Sequence, residues 1–374
     1  MFLPAGSQDE MGSIINNRTK AYEQFRLITL QRNFKQISTP VVEFAHTFTN
    51  QHVGMNLQNM LKWFNRDGEI EVLRPDWTTA IARALVNQPK SERKWAYQGS
   101  VFRSDKAGTE SRQAGIEVLH TEPFLGEGEC LLTAMSYLRA LGISDYLIEL
   151  GHTGIFEELT ASLELTENVE QQLRQAMHDK RKDEVYSLAI RHGSEAVADE
   201  LVDLIDAYGS FDLIENYTEK WKNKDRLLSI LEHLKSLATL MERSGMNDVT
   251  VDLGRVKNLP YYDGVMFRGY MKESGEICFS GGRYDKLYDQ FNQEVSAVGL
   301  AFDVDVLTEH FMEESQGKRI AILASESSHV YAESVRASYP DDVVDIVYEL
   351  SEPDSFDIVL KIEEENSTFK VVKQ

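Results

Sequence analysis

Leu73-Arg74-Pro75-Asp76-Trp77-Thr78-Thr79-Ala80-Ile81-Ala82-Arg83, Tyr97-Gln98-Gly99-Ser100-Val101-Phe102-Arg103 and Gln113-Ala114-Gly115-Ile116-Glu117 set the reading of the whole chain. Strand-like segments carrying polar groups flank a short helical one, the pattern of a small-molecule pocket floor. Asp76 and Thr78 are two apart, so on a strand they share a face. Gln113 and Glu117 share a face by the same parity. A buried carboxylate needs a cationic or donor partner. One ligand carrying an ammonium and an imidazole N–H satisfies both Asp76 and Glu117, and Arg103 suits an anionic group on it. Of Tyr261 and Tyr262, which alternate in an extended segment, only one need enter the pocket. Gly281-Gly282 permits close backbone approach. Taken singly, each residue also fits a plain structural role. Arg74 and Asp76 can pair across a turn, the tyrosines can be strand aromatics, Gly281-Gly282 can be a turn, and Gln113 and Glu117 can be solvated.

Bulk composition narrows the classes. A length of 374 residues suggests two or three domains. With 42% hydrophobic and 27% charged residues, the composition is that of a soluble globular protein. No apolar run approaches a membrane span. The opening Met1-Phe2-Leu3-Pro4-Ala5-Gly6 lacks the basic and apolar regions of a signal peptide. Cys130 and Cys278, far apart, read as packed thiols in a reducing compartment, so a cytoplasmic location is expected. The nine histidines lack ligand spacing, and neither metal nor cofactor is expected. The 39 Lys and Arg against 61 Asp and Glu leave a net charge of −22. Such a chain repels polyanions, which disfavours nucleic acid as a partner. The densest basic run, Lys180-Arg181-Lys182, reads as a solvated face inside a polar helix.

Periodicity gives the organisation. Residues 16 to 34 read as a helix capped by Asn16 or Asn17. Phe34 to Phe44 reads as one extended segment, with Pro40 at an edge, bulge or interface. A hairpin is expected around Asp67-Gly68, a helix over Gly126 to Leu141 and a strand over Tyr146 to Gly151. From about 154 to 243 the pattern suits amphipathic helices, with turns at His192-Gly193-Ser194 and Tyr208-Gly209-Ser210. Strands resume at Val249 and continue through Tyr261 to Tyr270, Ile277 to Asp285 and Ala297 to Phe302, as in a mostly antiparallel sheet. Acidic Glu313-Glu314-Ser315-Gln316-Gly317 reads as a linker. The expected division is 1–315, with a helical insertion, and 316–374, a small α/β domain with strands over Arg319 to Leu323, Val343 to Tyr348 and Ile358 to Ile362.

The combination resembles the class II aminoacyl-tRNA synthetases, and within them histidyl-tRNA synthetase. Phe34 to Phe44 resembles motif 1, the dimer-interface element, and Tyr97 to Glu117 resembles motif 2. Leu259-Pro260-Tyr261-Tyr262 resembles a histidine signature, and Gly281-Gly282-Arg283-Tyr284-Asp285 with Ala297 to Ala301 resembles the approach to motif 3. The likeness runs in order from about Phe2 to Leu307. It implies an α+β fold, an antiparallel sheet flanked by helices. It also implies that Asp76, Thr78, Arg103, Gln113, Glu117, Tyr261 and Tyr262 contact histidine, Asp76 standing where the family has glutamate.

The departures bear on function. Lys257 stands where the family's arginine meets the α-phosphate, and lacks its planar fork. Val306 stands where an arginine stacks on adenine, and Thr109-Glu110-Ser111 replaces the Arg-Glu-Phe type of motif 2 loop. Amino-acid contacts kept beside damaged nucleotide contacts resemble the family of ATP phosphoribosyltransferase regulatory subunits. That resemblance implies a non-catalytic chain, a homodimeric core within a hetero-oligomer, specifically a hetero-octamer, with the short catalytic subunit. It further implies L-histidine as ligand, feedback inhibition of the first step of histidine biosynthesis, and neither nucleic acid nor membrane as partner. The 57 or so C-terminal residues are shorter than the family's usual anticodon-binding domain. The rival reading is a divergent histidine–tRNA ligase; a third is an interaction protein with a vestigial pocket.

Overall fold

Ala21, Phe25 and Thr29, spaced by four, form the buried stripe of helix α1 (Ser13–Gln31). The helix starts three residues before Asn16, with Gly12 at its N-cap. Asn17 does not cap it; its side-chain amide donates to the Thr308 carbonyl at 3.2 Å. The computed structural model describes residues 2–3, 7–104, 109–256, 261–310, 317–350, 352–365 and 368–373. It divides into two units, Met1–Phe311 and Met312–Gln374.

Phe34 to Phe44 is not one strand. It splits into β1 (Lys35–Gln36) and β2 (Val42–Phe44), which join different sheets. Pro40 supplies the reason, having no N–H for a ladder. The carbonyls of Thr39 and Pro40 instead accept from the Arg74 guanidinium at 2.8 and 3.4 Å. After helix α2 (His46–Thr49), the expected hairpin forms from β3 (Lys62–Phe64) and β4 (Ile70–Leu73), and β2-β4-β3 make a small antiparallel sheet.

Then follow α3 (Thr78–Leu85), β5 (Lys94–Phe102), β6 (Glu110–Leu119), α4 (Pro123–Ala140) and β7 (Tyr146–His152). The next segment is helical, as its periodicity predicts. It comprises α5 (Thr153–Thr160), α6 (Glu167–His178), α7 (Lys182–His192), α8 (Glu195–Ile205), α9 (Asp212–Lys220) and α10 (Asp225–Arg243). The short strand β8 (Tyr208–Gly209) lies where only a turn was expected. Lys180-Arg181-Lys182 does not lie inside one helix: Lys180 and Arg181 join α6 to α7, and Lys182 is the first residue of α7. Lys180 adopts a φ of 55°, and the Lys180 and Arg181 N–H groups close α6 onto the Met177 and Ala176 carbonyls.

β9 (Val249–Asp252), β10 (Val265–Met271), β11 (Ile277–Arg283), β12 (Ala297–Asp303) and α11 (Val304–Glu309) complete the first unit. The main sheet has the order β1-β5-β6-β12-β11-β10-β7-β9-β8; β1 with β5 and β7 with β9 run parallel, and the other pairs antiparallel. In the second unit β13 (Arg319–Leu323), β14 (Val343–Val347) and β15 (Ile358–Glu365) fall close to expectation, and helix α12 (His329–Arg336) follows β13. A further strand, β16 (Thr368–Lys373), pairs antiparallel with β15 and was not foreseen. Apart from Gly317, the expected acidic linker lies outside the described residues.

Alternation along β6 and β12 gives the sheet two characters. Ala114, Ile116 and Val118, with Val298, Leu300 and Phe302, belong to the main apolar core. Gln113, Gly115 and Glu117, with Gly299 and Ala301, take the opposite face. Behind the sheet, Phe25, Tyr137, Phe279 and Phe302 pack edge to face, with the Tyr137–Phe302 centroids 4.7 Å apart. Phe302→Ala should therefore cost about 3–5 kcal/mol, read as a lower urea midpoint; a loss below about 1 kcal/mol would show that this cluster is not the anchor of the sheet.

Candidate functional site

On the glycine-bearing face of the sheet lies a cavity of about 160 Å³, small beside the roughly 300–1,000 Å³ of sites for drug-sized ligands. Asp76, Thr78, Arg103, Gln113, Tyr261 and Tyr262 all line it, together with Met55, Tyr97, Ser280 and Tyr284. Glu117, the seventh expected residue, lies beneath the lining and is buried. Thr78 Oγ1 donates to its Oε1 at 2.9 Å, and the Tyr284 hydroxyl donates to Oε2 in a short bond. Gly299 stands opposite on β12, and a Cβ there would run into this carboxylate. Gly115 is needed for a similar reason, since a Cβ would collide with the phenol end of Tyr97. The glycines are therefore the space in which the polar groups sit.

Asp76 and Thr78 reach the cavity without sharing a strand. Thr78 opens α3, and Asp76 Oδ2 accepts from the Thr79 N–H at 2.7 Å, so the acid sits at the positive end of the helix. Arg74 does not pair with Asp76 across the turn. It donates to the carbonyls of Ser100 (2.9 Å), Thr39 and Pro40 and stacks on the Trp77 ring at 3.5 Å. Arg103 Nε donates to the Pro75 carbonyl at 2.7 Å, which holds its guanidinium at the cavity wall. Tyr261 and Tyr262 do not diverge. They lie in a loop before β10, and both enter the lining with ring centroids 4.8 Å apart. Strand parity does not apply there.

Tyr284 was missed as a site residue. Its signal was present in Gly281-Gly282-Arg283-Tyr284-Asp285, but a buried acid's hydroxyl partner cannot be read from spacing alone. Arg283 turns away from the cavity and pairs with buried Glu127 at 2.8 Å. Among the described residues no group of three His, Cys, Asp or Glu is placed to hold a metal ion.

A second hollow, near 690 Å³, adjoins the start of β6 and includes Thr109, Glu110, Arg112 and Asp305. Its charges pair internally. Glu10 is gripped by both guanidinium nitrogens of Arg18 at 2.7 and 2.8 Å and by Arg112 at 3.1 Å, while Asp305 accepts from the Arg112 backbone N–H at 2.9 Å. Val306 packs partly buried against the main core. Lys257 lies outside the described residues.

Comparison with known proteins places these features. A family model described as histidyl-tRNA synthetase matches residues 13–307. An ATP phosphoribosyltransferase regulatory subunit from Bacillus mycoides is 31% identical over 89% of this chain and 82% of its own length. One from Clostridium botulinum is 32% identical over 81% and 74%. A Bacillus halodurans crystal structure titled as an ATP phosphoribosyltransferase regulatory subunit/histidyl-tRNA synthetase superposes with a TM-score of 0.79 at 25% identity, covering 95% of both chains. The histidyl-tRNA synthetase of Nostoc sp. superposes at 0.77 with 14% identity, covering 100% of this chain and 96% of its own, a likeness of fold alone.

Burial pushes the Glu117 carboxyl up to about 8, overriding the two hydroxyl donors that favour its anion; the nearby Asp76 charge adds to the rise. Between about pH 4.5 and 8 the folded chain keeps a proton that the unfolded chain releases, so stability falls as pH rises through that window. Glu117→Gln should match the parent chain near pH 5 and exceed it by on the order of a few kcal/mol at pH 9. Denaturant melts across this range provide the check, and parallel pH profiles would rule out a buried protonated Glu117.

Proposed function

We infer the function from kinship first: the chain belongs to the histidyl-tRNA synthetase family and, within it, to the ATP phosphoribosyltransferase regulatory subunits. On that premise we read it as a non-catalytic cytoplasmic subunit that works with the short catalytic subunit in the first step of histidine biosynthesis and carries feedback inhibition by L-histidine. One observation carries this reading: the two halves of the synthetase-like site have diverged. The amino-acid half keeps acid, amide, hydroxyl and guanidinium groups around one small cavity. In the nucleotide half, Glu10, Arg18, Arg112 and Asp305 are bound to one another.

Histidine fits the first half group by group. Its ammonium meets Asp76 and Gln113, its carboxylate meets Arg103, and its imidazole lies between the tyrosines toward Glu117, whose raised pKa makes it responsive to a cationic or donor neighbour. Phosphoryl-type displacement needs preplaced cations on the phosphates and a platform for the base. With valine at 306 and the arginines of the second hollow occupied by acids, no adenylate formation is expected. Histidine shifts the partner's activity to the extent that it binds the inhibited arrangement more tightly than the active one.

The homodimer follows from the segment that resembles motif 1. Val41, Val42 and Phe44, with Trp63 and Phe64 on the same small sheet, are exposed apolar side chains of the kind that a second copy covers. Phe44→Glu should shift the sedimentation of the chain toward monomer; an unchanged dimer would place the contact elsewhere. For the sensing role, calorimetry should detect histidine binding by the chain or by its complex with the catalytic subunit. Glu117→Ala should lower that affinity at least about tenfold, roughly 1.4 kcal/mol, and abolish histidine inhibition while leaving activation of the partner intact. Absence of histidine binding in both forms would refute the reading, and histidine-dependent pyrophosphate exchange with ATP would favour a ligase.

A further inference from the structure

Another cavity, of about 440 Å³, lies farther along the sheet, where the helical segment covers β7, β9 and β10. Its size falls within the range of small-molecule sites. Its charge runs against the rest of the molecule. Among the described lining residues are Lys180, Arg255, Arg268 and Lys272 against two carboxylates, Glu149 and Asp252, in a chain of net charge −22; Lys272 is paired outside the lining with Asp248 at 2.8 Å and Asp145 at 3.5 Å.

Arg255 is the centre of it. The residue is 7% exposed, and its Nη1 pairs with Glu149, itself 6% exposed. Its Nε and Nη2 are buried without a hydrogen-bond partner. These two nitrogens form one edge of the guanidinium, the fork that grips a carboxylate or phosphate through two parallel N–H bonds. A buried donor pair of this kind is normally satisfied. Arg268 adds a second guanidinium; its Nη1 donates to the Tyr270 hydroxyl at 3.3 Å, and that hydroxyl reaches Glu149 at 3.5 Å. Burial and then the Arg268 charge push Arg255 down to about 10, still charged at neutral pH. Lys180 stands at the rim over the Tyr208 ring. The junction between α6 and α7 thus brings Lys180 of the basic run to the cavity rim. Met177, Ile205 and Val256 supply an apolar wall.

We propose that this cavity is a second ligand site, for a small organic anion whose carboxylate or phosphate docks on the Nε–Nη2 edge of Arg255 and whose carbon body lies against Met177, Ile205 and Val256. It is separate from the histidine-sized cavity and does not depend on the function inferred there.

Calorimetry on the full chain with phenyl phosphate and with benzoate, at constant ionic strength set by chloride, tests the site. Saturable binding of at least one probe is expected, and the tighter probe identifies the anionic group. Arg268→Gln and Lys180→Ala, which leave the buried Arg255–Glu149 pair in place, should each weaken binding at least tenfold. Arg255→Met should abolish it; if that variant fails to fold, the other two decide. Added histidine should not displace the probe. Failure of both probes to bind, unchanged affinity in Arg268→Gln and Lys180→Ala, or displacement by histidine would overturn the proposal. Phenyl phosphate binding by the chain, with no histidine binding by the chain or by its complex with the catalytic subunit, would uphold it while refuting the sensing role.

Discussion

The carboxyl group of Glu117 and its hydrogen bonds to two hydroxyls hold the pocket together. Thr78 comes from the first turn of α3, Tyr284 from the end of β11, and Glu117 from β6, with Gly299 of β12 leaving the room. Four elements distant in sequence thus meet at one buried acid. Such a group is costly unless satisfied, so the arrangement has little freedom to relax. Gln113 on β6, Ser280 on β11 and Ala301 on β12 line the cavity from the same elements, while Tyr97, Tyr261 and Tyr262 come from β5 and the loop before β10.

The second hollow shows how charges brought together on one face can satisfy one another. An arginine pair that faces acids from its own chain gains charge-assisted hydrogen bonds, and any incoming polyphosphate must compete with them. The −22 net charge works in the same direction. Main-sheet packing is unaffected, because the core face of β6 and β12 is set by the alternate residues. The two faces of one strand have been free to change separately.

Much of this was legible in sequence. Alternation in Gln113-Ala114-Gly115-Ile116-Glu117 is enough to assign faces to β6, and the helical periods from 154 to 243 appear as helices. Failures came where local geometry departs from a regular period. Asp76 belongs to a helix start and not to a strand. Tyr261 and Tyr262 sit in a loop, where parity has no meaning. Phe34 to Phe44 is interrupted because Pro40 cannot donate and Arg74 takes the neighbouring carbonyls. Lys180 ends a helix through a left-handed residue, which the acidic flanks of the basic run concealed. The role of Tyr284 is not legible in its sequence context, since only the folded chain shows which acid its hydroxyl meets. Likewise, spacing alone gave no hint that Arg255 and Glu149 would be neighbours.

Arg74 has a mechanical consequence. Its guanidinium is bonded at once to the Thr39–Pro40 stretch and to β5 through Ser100, and it lies flat on Trp77, the residue between Asp76 and Thr78. The motif 1-like segment and the wall of the small cavity are therefore tied through one side chain. A displacement of Thr39 and Pro40 cannot be absorbed by a swinging side chain, as it could with lysine, because the planar fork and the stacked ring leave no slack. The path from that segment to the pocket acid is therefore short: one guanidinium, one indole ring and one peptide bond.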